Sequence, residues 1–208
     1  MTLALVARLV KLVLGLVLFA VGLWLGLRAH LGVGPWDVLT GGLARQLHTP
    51  FGSTAIGVSV VVLLIGLVCR VRPGVGTVLN VVVIGVVLDV LLATPWLTGL
   101  DDAALAPRAL LVLGCISSVA AGSALYLGAH LGPGPRDGLM VALVVRTGWS
   151  VRACRALLES SVLILGAALG GPVGIGTVAF AVGIGPAVQL AFRVLRQSPV
   201  RPAQEATA

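Results

Sequence analysis

The chain has 208 residues, of which 58% are hydrophobic and only 10% charged, and its formal charge is +7. A soluble domain carries about 25% charged residues, and a mean hydropathy of +1.11 means more apolar surface than one soluble core can hide. The Lys and Arg residues sit singly or in pairs at the ends of apolar runs, which argues against nucleic-acid binding and for a membrane.

The N-terminus sets Arg8 and Lys11 ahead of the apolar residues 12–27, and no Ala-x-Ala-like cleavage site follows. That reads as a retained first span over 7–27, not as a signal peptide. Residues 28–51 then interrupt the pattern with Gly, Pro and charge, although Leu, Val and Trp persist. Two spans follow at 53–70 and 74–93 and another at 107–128. A second interrupted stretch covers 129–151, and two last spans cover 152–170 and 174–195. Each apolar run is near the roughly 20 residues that cross a hydrocarbon layer about 30 Å thick. One membrane domain over 1–196 is expected, with a disordered tail over 197–208.

The two interrupted stretches are copies. Ala29-His30-Leu31-Gly32-x-Gly34-Pro35-x-Asp37-x-Leu39 returns 100 residues later as Ala129-His130-Leu131-Gly132-x-Gly134-Pro135-x-Asp137-x-Leu139. Gly74-x-Gly76-Thr77-Val78 likewise returns as Gly174-x-Gly176-Thr177-Val178. Between 27–92 and 127–192, 20 of 66 positions are identical, where chance in so apolar a chain gives roughly a tenth. Repeat one covers 7–95 and repeat two 107–195. Each holds three spans, an odd number, so the second half enters from the other side and the halves are inverted.

Charge tests that topology. With the N-terminus in the cytoplasm, Arg8, Lys11, Arg70, Arg72, Arg136, Arg146, Arg152, Arg155, Arg193, Arg196 and Arg201 fall inside. Arg28, Arg45 and Arg108 fall outside, with the acidic pair Asp101 and Asp102. That is a positive-inside pattern with both termini cytoplasmic. The expected fold class is an all-α membrane protein with six transmembrane helices in two inverted three-helix repeats. Each repeat carries a Gly/Pro-broken short helix.

Within the motif, Gly32, Gly34, Gly132 and Gly134 permit backbone angles that other residues avoid. Pro35 and Pro135 suit the first turn of a helix. Asp37 and Asp137 fall in that turn, where a carboxylate meets unpaired N–H groups and the positive helix end. Short helices are expected over 36–47 and 136–147. About 12 residues reach roughly 18 Å, too short to cross, so these helices re-enter the membrane or lie on it. Paired breaks in inverted halves point to a transport site near the bilayer midplane, while capping is the plainer role for the aspartates. His30 and His130 either carry protons or an ion, or bond backbone that the break leaves unpaired. The second role is the simpler one. Gly76-Thr77 and Gly176-Thr177 open the third span of each half, where small residues let helices approach.

Polar residues inside spans are costly and often functional. Glu159 stands out, near the middle of its span and one turn from Arg155. Asn80, Gln189, Ser117 and Ser118 are further cases, and Asp89 lies far enough along its span to reach the outer headgroups. The candidate pathway residues are therefore Asp37, Asp137, Glu159, His30 and His130. Cys69, Cys115 and Cys154 have neither C-x-x-C spacing nor a neighbouring His, and read as buried apolar residues. His and Asp seven residues apart across a proline match no compact ligand set. No metal and no cofactor is expected, and no catalytic motif marks an enzyme.

Gly32, Gly34, Pro35, Asp37, Gly76 and Thr77, with Gly132, Gly134, Pro135, Asp137, Gly176 and Thr177, make the chain resemble the YczE/YitT-like group of bacterial multi-pass membrane proteins. The resemblance covers nearly the whole chain, and lies closer to the shorter YczE type than to YitT-type members with a soluble C-terminal domain. It implies the bacterial inner membrane and a family of largely undefined activity. Arg136 stands where the first motif has Trp36, so the two sites need not be equivalent. The expected function is a small-solute or ion transporter or permease-like protein. Its partners would be the lipid bilayer and a small solute or ion, with no nucleic acid. A non-transporting membrane scaffold or accessory protein is the alternative.

Overall fold

The structure, a computed structural model, describes residues 3–71, 73–100 and 103–197. Arg72, Asp101, Asp102, Arg201 and the tail from 198 onward therefore lie outside the described residues. Among the described residues there are eight α-helices and no strand: α1 (Leu3–Arg28), α2 (Pro35–Leu47), α3 (Phe51–Val68), α4 (Val75–Leu92), α5 (Leu105–Leu127), α6 (Pro135–Thr147), α7 (Val151–Ala168) and α8 (Ile175–Val194).

These bounds follow the punctuation of the sequence. α2 and α6 begin at Pro35 and Pro135, after extended Gly34 and Gly134. A proline at the first helical position lacks only an N–H that would have no helical partner. Both helices end on a left-handed residue, His48 and Gly148, which turns the chain into the next helix. Each has 13 residues, about 20 Å of helix, so the two expected short helices are present. Five helices are long and apolar enough to cross a membrane: α1, α3, α4, α5 and α8. α7, expected as a further span, has 18 residues but includes Arg152, Arg155 and Glu159. Its charge sets it apart from the five.

α1 and α5 form the centre and run antiparallel. Arg8, near the start of α1, donates to the carbonyls of Ala129 and His130 beyond the end of α5. Arg108, near the start of α5, does the same to Ala29 and His30. Glycines permit the approach: a Cβ on Gly22 would lie 2.8 Å from the Val119 nitrogen, and one on Gly122 2.7 Å from that of Phe19. Lipid provides no hydrophobic drive between helices, so close packing of this kind is what holds spans together. α4 flanks α1, α8 flanks α5, α2 packs on α7 and α6 on α3. Each short helix is thus seated against the other half.

Several basic residues do more than mark a membrane face. Lys11 donates to the Gly128 carbonyl (2.9 Å) and to the Gln197 side chain. Arg28 donates to the carbonyls of Leu92 (3.0 Å) and Thr94 (2.8 Å). With Arg8 and Arg108, they occupy carbonyls that helix ends leave unpaired, where a cation also complements the dipole. Cys115 and Cys154 are buried free thiols.

The halves are not equal. α3 packs along α4, whereas α7 scarcely touches α8. The Asp89 carboxylate on α4 accepts from the N–H groups of Gly52 (2.6 Å) and Ser53 (2.8 Å) and from the Ser53 hydroxyl (2.7 Å). It caps α3 from the side, a tertiary role in place of the expected headgroup contact. Gln189, at the matching position, is exposed. Asp89→Asn should lower stability by about 1–2 kcal/mol, read from thermal unfolding of the purified protein in detergent, while Gln189→Asn leaves the curve in place. Equal effects would contradict the cap.

Candidate functional site

Each motif loop is held by the turn that opens the third long helix of the other half. The Gly76 N–H donates to the Leu131 carbonyl (2.8 Å), and the Gly176 N–H donates to that of Leu31 (2.6 Å). The Gly74 and Gly174 N–H groups donate to the hydroxyls of Thr77 (3.0 Å) and Thr177 (3.2 Å). The Thr77 hydroxyl donates onward to the Pro133 carbonyl (2.7 Å). Gly32 and Gly132 have φ of 95° and 124°, angles that a side chain disfavours. A Cβ on Gly32 would also collide with the Gly174 backbone. The two glycine motifs thus serve one contact, an open angle in the loop and a close seat beneath it.

His30 and His130 sit at the turn after α1 and α5 with φ of 50° and 53°. Their carbonyls accept from Arg108 (2.6 Å) and Arg8 (3.3 Å). Their backbone therefore closes the break, and neither histidine lines the cavity described next.

The clasp aims the starts of α2 and α6 into one partly open cavity of about 190 Å³. Phe19, Ile84, Val119 and Ile184 wall it, from the middle parts of α1, α4, α5 and α8. Asp37, Asp137 and Glu159 all line it. Asp37 is buried, with its carboxylate 3.7 Å from the Arg136 guanidinium. That guanidinium lies over the Trp36 ring, 5.1 Å from its centroid. Asp137 accepts a hydrogen bond from the Tyr126 hydroxyl at 2.7 Å. Glu159 accepts from Arg155 at 2.8 Å, the one-turn pairing that the spacing anticipates. The caps of α2 and α6 are Gly34 and Gly134, and the Asp37 carboxylate lies both at the cavity and beside the start of its own helix, 3.2 Å from where a Cβ on Gly34 would stand. Asn80 and Ser59 join the lining. Gln189 is exposed, and the Ser117 hydroxyl donates to Leu113 in its own helix (2.8 Å).

Sequence reasoning does not reach Tyr126. A signal exists: it is the chain's one tyrosine, placed inside an apolar span, and a buried phenol seeks a hydrogen-bond partner. Arg136 and Arg155, counted as cytoplasmic surface charges, line the cavity instead. For Arg136 the clue is its place at the second residue of α6, the wrong end of a helix dipole for a cation. Among the described residues no group of three or more His, Cys, Asp or Glu is arranged to hold a metal ion.

Long apolar helices around a small cavity with a few charged groups define a multi-pass integral membrane protein in contact with the lipid bilayer. The chain belongs to the family of unknown function DUF6198, which matches residues 6–193. It is 39% identical over 191 residues to an uncharacterized protein of Haemophilus influenzae, covering 90% of this chain and 84% of that one. It is 32% identical over 174 residues to the uncharacterized membrane protein YczE of Bacillus subtilis, covering 81% and 77%. The likeness to the YczE-like group drawn from the motif is thereby established. No solved structure matches.

Gly32→Ala should prevent recovery of folded protein, because it strains the loop and opens the clasp. Gly57→Ala should be silent, since a Cβ there meets open space. Size-exclusion profiles of the solubilised variants check this, and a normal profile for Gly32→Ala would contradict the clasp.

Proposed function

We propose that this protein carries a small solute or ion across the bacterial inner membrane, with the central cavity as its transport site. The observation that carries the reading is the meeting of two helix starts, one from each half, on one largely apolar cavity that holds a few polar and charged groups. Broken helices at mid-depth present dipole ends and backbone groups to a solute that has shed its water. Asp37, Asp137 and Glu159 add ionisable contacts, and nothing in this role requires catalysis.

In this reading α7 is the sixth span. Its charge is eased because Arg155 and Glu159 pair with each other at the rim of the cavity, Arg155 half-exposed. The two halves are inverted, both termini are cytoplasmic, and α2 and α6 re-enter the membrane. The antiparallel α1 and α5 and the 100-residue repeat support inversion. The sparse contact between α7 and α8 leaves one wall free to move as access alternates.

Two measurements test this. In a variant lacking native cysteines, Leu47→Cys and Thr147→Cys, both at exposed ends of the short helices, should react with an impermeant thiol reagent from opposite faces. Reaction from the same face would exclude inversion. A solute screen of deletion and overexpressing cells should identify a transported compound. Asp37→Asn and Asp137→Asn each remove a charge-assisted contact of about 1.5–3 kcal/mol, so flux in proteoliposomes should fall about tenfold or more. Unchanged flux through folded variants overturns the site. No flux of any solute, with a stably co-purifying partner protein, would favour a scaffold.

A further inference from the structure

We propose that the cavity receives one small monovalent organic cation of the guanidinium or methylammonium class, and that Arg136 is its tethered stand-in. The side chain fills the cation seat until the free cation displaces it. The physiological meaning rests on the carrier reading, but the binding does not.

The seat is built from a carboxylate and an aromatic face. Asp37 and Trp36 are neighbours on the first turn of α2, and together they hold the Arg136 guanidinium at 3.7 Å and 5.1 Å. A carboxylate beside an aromatic face is a recognised way to bind a flat or quaternary cation. Arg136 enters this seat from the first turn of α6, where the dipole of its own helix repels it. The attraction across the cavity must therefore outweigh a local penalty.

The hold is nonetheless loose. At 3.7 Å the pair exceeds the 2.7–2.9 Å or so of a charge-assisted hydrogen bond. The other two carboxylates of the cavity have partners within hydrogen-bond length, Asp137 in Tyr126 at 2.7 Å and Glu159, at the exposed rim, in Arg155 at 2.8 Å. Asp37, with 5% of its side chain exposed against 28% for Arg136, is the buried carboxylate whose charged partner stands beyond hydrogen-bond length.

Charge and size limit the occupant. Three carboxylates face two guanidiniums, and each of the two helix starts adds about half a positive charge. With Arg136 seated the cavity is close to neutral. With Arg136 swung out, about one negative charge remains, which matches one monovalent cation and disfavours an anion. A volume of about 190 Å³ exceeds the roughly 150 Å³ of a cavity that takes a benzene-sized molecule, room for a cation of a few heavy atoms. The duplication makes one seat, not two, because the ring occurs only at 36 and the arginine only at 136.

The test is binding of radiolabelled guanidine to purified protein in lipid nanodiscs near neutral pH. The wild type should bind saturably, with displacement by tetramethylammonium and not by phosphate. Arg136→Gln should bind about tenfold more tightly, because the seat is no longer occupied from within. Asp37→Asn should abolish binding in both backgrounds. Absence of Asp37-dependent binding to the wild type overturns the proposal, even if Arg136→Gln acquires it, since Arg136 would then be a structural partner of Asp37. Should Arg136→Gln fail to fold, Arg136→Lys decides. It keeps the charge but loses the flat stack, so it should bind guanidine more tightly than the wild type, and no gain overturns the idea. Guanidine binding without flux of any solute would support this assignment and remove the carrier reading. Asp37-dependent flux without guanidine or tetramethylammonium binding would do the reverse.

Discussion

The end of a membrane helix leaves backbone groups without partners in that helix, and lipid cannot satisfy them. In this protein the opposite half satisfies them. The Leu31 and Leu131 carbonyls are taken by Gly176 and Gly76, and the carbonyls of residues 29, 30, 129 and 130 by Arg108 and Arg8. The rest of the architecture depends on this exchange. Because each break is closed by the other half, both breaks lie along the shared interface. The helices that begin there point into one cavity, and α1 and α5 must approach closely enough for glycine to be needed at Gly22 and Gly122.

What was legible in the sequence was local. The 100-residue repeat marked both breaks, and Pro35 and Pro135 placed the short helices to within a residue. The one-turn spacing of Arg155 and Glu159 anticipated their pairing. What was not legible was tertiary. Asp89 looked free to reach headgroups, yet its carboxylate caps a helix 36 residues away in sequence. Asp37 and Asp137 stand in first turns, where carboxylates usually cap, and their partners Arg136 and Tyr126 come from elsewhere in the fold. The histidines drew attention by residue type, whereas the bonds that Arg108 and Arg8 make to their carbonyls depend on the fold alone. A count of basic residues by loop also cannot separate a membrane-face arginine from Arg136, which enters a cavity.

Duplication supplied the frame, and divergence supplied the chemistry. At matched positions the cavity has Trp36 and Arg136, Ser59 and Glu159, Asn80 and Phe180. Tyr126, which bonds Asp137, matches Gly26. The aspartates are retained in both halves but given different partners, one a phenol and the other a guanidinium over an indole. Two copies of one motif therefore build a single polarised site. The same divergence affects packing, since Asp89 ties α3 to α4 while Gln189 leaves α7 loosely placed beside α8.

The central claim is that two helix starts from opposite halves meet in the interior. A variant without Cys69, Cys115 and Cys154, and carrying Trp36→Cys and Arg136→Cys, tests it with a short bifunctional thiol reagent. Arg136 and Trp36 meet through their own side chains, 5.1 Å from guanidinium carbon to ring centroid, so a reagent that spans both lost side chains should give an intramolecular link, seen as one joined peptide by mass spectrometry. Surface helices on opposite faces of a hydrocarbon layer about 30 Å thick could not be bridged. Two separately modified cysteines and no link would contradict the account.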